Sequence, residues 1–172
     1  MTAADVRKAI QSDFGVSDND IKVEINPVQK ATALTIDVKD LLPGAGVARV
    51  SYLFGYKSNR LFTVLVVWAH AFSPDNTREV LIDAANVLRA HFETENFPRG
   101  VVVDSALSDG SVLVFRGIDA QGRMVALAAT ALYTANPAAG DKTAPQPDPV
   151  LRLTYVEDPQ HPDVYTIKPG EF

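Results

Sequence analysis

Apolar residues recur along this chain in two rhythms, one at every third or fourth position and one at every second. The first rhythm appears twice. Val6, Ile10 and Phe14 fall at i, i+4 and i+8, so residues 2–14 read as a short amphipathic helix. Thr2 can cap the amide of Asp5, and Gly15 suits a left-handed stop. The longer helix is expected from Ser73 to Glu93. There Leu81, Ala84, Ala85, Leu88 and Phe92 form one stripe, widened by Val80 and Val87, while Asp83, Asn86, Arg89 and Glu93 face away. Ser73 is the natural N-cap, Pro74 suits the first helical position, and Asp75 favours the positive end of the dipole.

The second rhythm marks strands. Ile21, Val23 and Ile25 alternate with polar residues until Pro27, and Leu34, Ile36 and Val38 do so again. Leu41 and Leu42 open a glycine turn and are expected to tuck under the sheet edge. Residues 47–56 and 61–68 form the clearest hairpin, joined by the polar turn 57–60, where Asn59 tolerates positive φ. The second strand of that hairpin is apolar on both sides, which predicts a central strand with cover on both faces. Residues 101–104, 111–118 and 124–133 read as further strands separated by Asp-Gly and Gln-Gly turns. Leu151, Leu153 and Tyr155 alternate in a strand that returns to the sheet, and residues 164–167 suggest a last edge strand.

Helices do not alternate regularly with strands, so a doubly wound fold is excluded. The expected class is α+β: a mainly antiparallel sheet of hairpins, one long amphipathic helix packed on a face, and a short N-terminal helix. Residues 1–133 form the main domain, 134–149 a proline-rich mobile loop, and 150–172 a C-terminal segment rejoining the same domain. Phe54-Gly55 and Arg116-Gly117 each precede a polar turn with an arginine at its exit, a faint internal echo. The layout resembles small exported α+β domains of bacteria, with no diagnostic motif behind the likeness.

Composition narrows the function. The 172 residues are 47% hydrophobic and 22% charged, with a formal net charge of −5. That balance supports a packed core and argues against a nucleic-acid partner, which selects a basic stripe. No cysteine is present, which removes disulfides, thiolate metal sites and cysteine nucleophiles. No apolar run has the length to span a bilayer as a helix. The first residues lack the basic start and apolar core of a signal peptide. A periplasmic or secreted location stays open if such a segment was removed.

Candidate chemistry is sparse. His70, His91 and His161 share no metal-ligand spacing, and no metal or cofactor is expected. A serine triad drawn from Ser105 or Ser73, His70 and Asp104 has no nucleophile elbow or oxyanion loop around it. Asp104, Asp109 and Asp119 stand at turns, where aspartate is favoured by turn geometry itself. Gly44 and Gly46 lead into a strand, unlike a phosphate loop.

What remains is aromatic. Tyr52, Phe54, Tyr56, Phe62 and Trp68 sit on one hairpin. Tyrosine and tryptophan are enriched at binding surfaces, so Tyr52, Tyr56, Trp68 and the neighbouring His70 are the candidate binding residues. The residues favour a non-enzymatic binding or accessory domain, exported or not, with a protein or peptide partner. A small enzyme whose site is assembled from scattered residues is the alternative, and a secretion-chaperone-like dimer is another.

Overall fold

A computed structural model describes residues 1–27, 29–133 and 148–166. Helix α1 (Ala3–Phe14) and one 3₁₀ turn (Asp18–Asp20) precede β1 (Lys22–Ile25), β2 (Thr32–Lys39), β3 (Val47–Phe54) and β4 (Leu61–Ala69). Helix α2 (Arg78–Thr94) then precedes β5 (Arg99–Ala106), β6 (Val112–Ile118), β7 (Met124–Thr130) and β8 (Val150–Val156). The eight strands form one sheet in the order β1-β2-β3-β4-β8-β7-β6-β5, antiparallel at every pairing. The fold is therefore α+β, with a long helix and a short N-terminal helix on an antiparallel sheet.

Each half is a helix followed by a four-strand meander, and the halves meet where β4 lies against β8. The repeat is one of topology. The echo in the sequence does not mark it, because the first turn joins the third and fourth strands of its half and the second joins the second and third.

The alternating pattern puts one set of side chains on the helix side of the sheet. Ile36, Val50, Val66, Leu153, Leu127 and Phe115 are successive cross-strand partners in a single row. All are buried in one cluster with Val6 and Ile10 of α1 and Leu81, Ala84, Ala85 and Phe92 of α2. Burial of this row is the main stabilising term. α1 lies over β2, and α2 lies over β6, β7 and β8. The Thr2 cap and the Gly15 stop of α1 act as read, Gly15 at φ 65°, and the Asp5 carboxylate in addition accepts from the Thr2 amide, which completes a capping box. Asn59 adopts φ 53° in its turn.

Four expectations need correction. α2 begins at Arg78 with Thr77 as N-cap, its hydroxyl accepting from the Val80 amide, rather than at Ser73. Residues 73–77 instead wind into a tight turn that inserts the Asn76 side chain between strands. That side chain is fully buried, donates to Val47 O at 2.8 Å and Ala69 O at 2.9 Å, and accepts from Val47 N at 3.2 Å. It thus ties the start of β3 to the end of β4 where their ladder runs out. Gly46 is required beside it, since a Cβ there would collide with the Asn76 amide. Within the helix stripe, Leu88 packs partly buried on the core, whereas Val87 is 55% exposed.

Second, β4 is central but covered on one face only. Val66 and Trp68 are buried, while Leu65 and Val67 point to the opposite face, on which neither helix lies. Their burial is only partial because just the neighbouring strands shield them. Third, Leu41 is 37% exposed, and only Leu42 reaches the core. Fourth, residues 164–166 form no strand. They cross to the β1–β2 turn, where Tyr165 N donates to Gln29 O at 3.0 Å. The expected proline-rich loop lies outside the described residues over 134–147, as does Ile167.

Candidate functional site

Because the two helices sit over different halves of the sheet, the seam between β4 and β8 is thinly covered at one end. A groove of about 490 Å³ opens there. Val64, Tyr155 and Val125, successive partners across β4, β8 and β7, make its floor, with Phe62 beside them. The last turn of α2 and the segment after it supply a wall of His91, Phe92, Glu95, Asn96 and Phe97. The β6–β7 turn supplies Asp119 and Arg123.

An aromatic cluster makes the wall rigid. Phe92 stacks on Phe115 with centroids 5.5 Å apart, and Phe97 meets Phe115 edge-on at 5.5 Å. Phe92 also meets Tyr155 edge-on at 6.4 Å. Phe97 lies on Gly117 of β6, so closely that a Cβ there would strike the ring. A glycine at this strand position therefore seats the aromatic wall. Burial against this cluster raises the Tyr155 phenol pKa, although the side chain still reaches solvent at 43% exposure.

Charge collects at the mouth. Burial alone would raise the Asp119 pKa, but the Arg123 guanidinium at 2.7 Å and the amides of Arg123 and Gln121 hold it below the usual range. Among the described residues Glu95 pairs with His91, at 3.9 Å. Glu157 makes no ion pair among the described residues. The groove is thus an apolar trough with a carboxylate-rich rim. Its charged groups stand at the rim, and Tyr155 is the titratable group of the floor.

No family model, curated protein or solved structure matches the chain.

The residues nominated from the sequence are spread apart. Tyr52 lies half-buried against the core on the helix side, its phenol pKa raised by burial and then by Asp13. Tyr56 is 40% exposed beyond β3, edge-on to Tyr165 at 5.3 Å, with Lys30 Nζ 3.8 Å from the Tyr165 ring. Trp68 is 1% exposed in the core, and its indole Nε1 has no hydrogen-bond partner among the described residues. His70 is exposed just past the opposite end of β4. Of the hairpin aromatics, Phe62 lines the groove.

The acidic turn residues are likewise dispersed. Asp104 pairs with Arg89 at 2.6 Å, Asp109 accepts from the Ser111 hydroxyl at 2.5 Å, and Asp119 holds Arg123. Among the described residues no group of His, Asp and Glu is placed to hold a metal ion. Sequence reading missed Phe92, Phe97 and Tyr155 as site residues, because nothing local links positions some sixty residues apart. The available signal was a run of aromatics, Phe92 and Phe97, continuing past the end of a helix stripe.

Proposed function

We propose that the chain is a non-enzymatic binding domain whose seam groove receives a cationic amphipathic segment of a partner protein. The observation that carries this reading is the pairing of an apolar floor, Phe62, Val64, Val125 and Tyr155, with the rim carboxylates Glu95 and Glu157. The volume falls within the roughly 300–1,000 Å³ of ordinary ligand sites. An apolar side chain of the segment fills the trough, and a lysine or arginine beside it meets the rim. Binding is favoured over catalysis because the polar groups are solvated and apart, the arrangement that orients a ligand without activating a bond.

The test is fluorescence anisotropy with two labelled model peptides, one alternating leucine and lysine, the other leucine and glutamate. The lysine peptide binds in the micromolar range and the glutamate peptide binds at least tenfold more weakly. The double variant E95K/E157K reverses that preference, and Val64→Asp abolishes binding of both. Equal affinity for the two peptides, or a lysine-peptide affinity unmoved by E95K/E157K, would overturn the reading.

A further inference from the structure

The second face of the sheet carries three rows of side chains on which neither helix lies, with Phe72 over Arg49 at one margin and residues 157–161 beside Arg99, Arg116 and Ile118 at another. One row runs Lys22, Thr35, Ser51, Leu65, Thr154, Ala126, Arg116 and Val102 from β1 to β5. The row beside it runs Glu24, Ala33, Leu53, Thr63, Val156, Met124, Ile118 and Arg99. The third runs Asp37, Arg49, Val67, Arg152, Ala128, Leu113 and Ser105. Leu53, Leu65, Val67, Val156 and Met124 crowd the middle, and of the charged residues in these rows only Arg152 stands on β4 or β8.

We propose that this face is the interface between two copies of the chain, related by a two-fold axis parallel to the strands and passing between β4 and β8. Size is the first argument. Eight strands about 4.8 Å apart, each about 24 Å long, span roughly 800 Å², the area a standard specific interface buries on each partner. Two such faces stacked give a four-layer particle with helices outside and apolar rows inside, the packing of a β-sandwich.

Charge fixes the axis. The carboxylates Glu24 and Asp37 lie on β1 and β2, and Arg99 and Arg116 lie on β5 and β6. Rotation about an axis along the strands lays β1 over the other copy's β5 and β2 over its β6, so Glu24 meets Arg99, while Asp37 keeps Arg49 of its own chain. Rotation about an axis across the strands would set Arg99 and Arg116 against their own copies. Neither arginine makes an ion pair among the described residues. Under the strand-parallel rotation Arg99 faces Glu24 of the second copy.

The full chain is measured by analytical ultracentrifugation. It sediments at twice the chain mass at micromolar concentration, Leu65→Lys sediments as a monomer with an unchanged circular dichroism spectrum, and the exposed control Leu41→Lys stays dimeric. E24R and R99E each weaken self-association at least threefold, and an equimolar mixture of the two recovers it. Because the chain has no cysteine, single cysteines report the geometry without interference. Ser51→Cys and Ala126→Cys, joined by a short bis-maleimide, cross-link when mixed and not when either is treated alone. That measurement also covers the case in which Leu65→Lys fails to fold. A monomer at all concentrations, a dimer undisturbed by Leu65→Lys, or cross-linking of Ser51→Cys to itself would refute the proposal.

Discussion

Replacing Asn76 by alanine should destabilise the fold by about 3–5 kcal/mol, a large share of the stability of a domain this size. The side chain makes three hydrogen bonds, two to Val47 and one to Ala69, and is completely buried. Each net hydrogen bond contributes about 1 kcal/mol, and stranded acceptors add desolvation cost beyond that. Truncation also leaves a small void beneath the 73–77 turn. Trp68 gives the assay, since it is the only tryptophan and is 1% exposed. Urea unfolding followed by its emission should show a lowered midpoint with an unchanged slope.

Asn76→Asp sharpens the test. A carboxylate oxygen would then face the carbonyls of Val47 and Ala69, and burial with those dipoles raises its folded-state pKa. For an acid raised on folding, the penalty is full at high pH and is relieved as pH falls through the folded pKa, since the protonated form regains a donor. The deficit of Asn76→Asp relative to the parent should therefore be larger at pH 8 than at pH 5. An alanine effect below 1 kcal/mol, or a pH-independent aspartate deficit, would refute the role given to this side chain.

Phe92→Ala should cost about 3–5 kcal/mol in the same urea assay, because the ring is 4% exposed and joins Phe115, Phe97 and Tyr155. Gly117→Ala should lower the melting temperature measured by calorimetry, since a Cβ displaces Phe97 from its seat. Asp163→Ala should speed amide hydrogen exchange at Lys57 and Ser58, whose N–H groups donate to that carboxylate at 3.0 and 2.8 Å. The Ser58 hydroxyl and the amides of Lys57 and Ser58 hold Asp163 below its usual pKa, the Arg49 guanidinium does so for Asp37, and the Ser111 hydroxyl for Asp109. Carboxylates depressed in this way stabilise above their unfolded pKa of about 3.9 and lose that contribution as pH falls through the folded values. Urea midpoints should thus drop steadily below about pH 4, and a flat profile there would contradict these bonds.

Much of the fold is legible from local rules. Alternation locates β2 and β8, the polar turn at 57–60 locates β3 and β4, and the Thr2 cap places the start of α1. The start of α2 is misread for a physical reason: Ser73-Pro74-Asp75 satisfies every local capping rule, yet the unsatisfied ends of β3 and β4 claim Asn76. Leu65 and Val67 mislead similarly, since a central strand with apolar residues on both faces normally has two covering layers. The candidate site is the least legible part. Tyr155 reaches the groove only because β8 inserts beside β4, a pairing that spans about half the chain and leaves no mark in any short window.

The central claim, that the seam groove is the binding surface, is tested most directly by methyl-labelled NMR of the full chain titrated with the leucine–lysine peptide. The account predicts shifts at the methyls of Val64 and Val125 in the groove, with Leu53 and Val67 on the opposite face unmoved. Shifts confined to Leu53 and Val67, with Val64 and Val125 unchanged at saturating peptide, would contradict it.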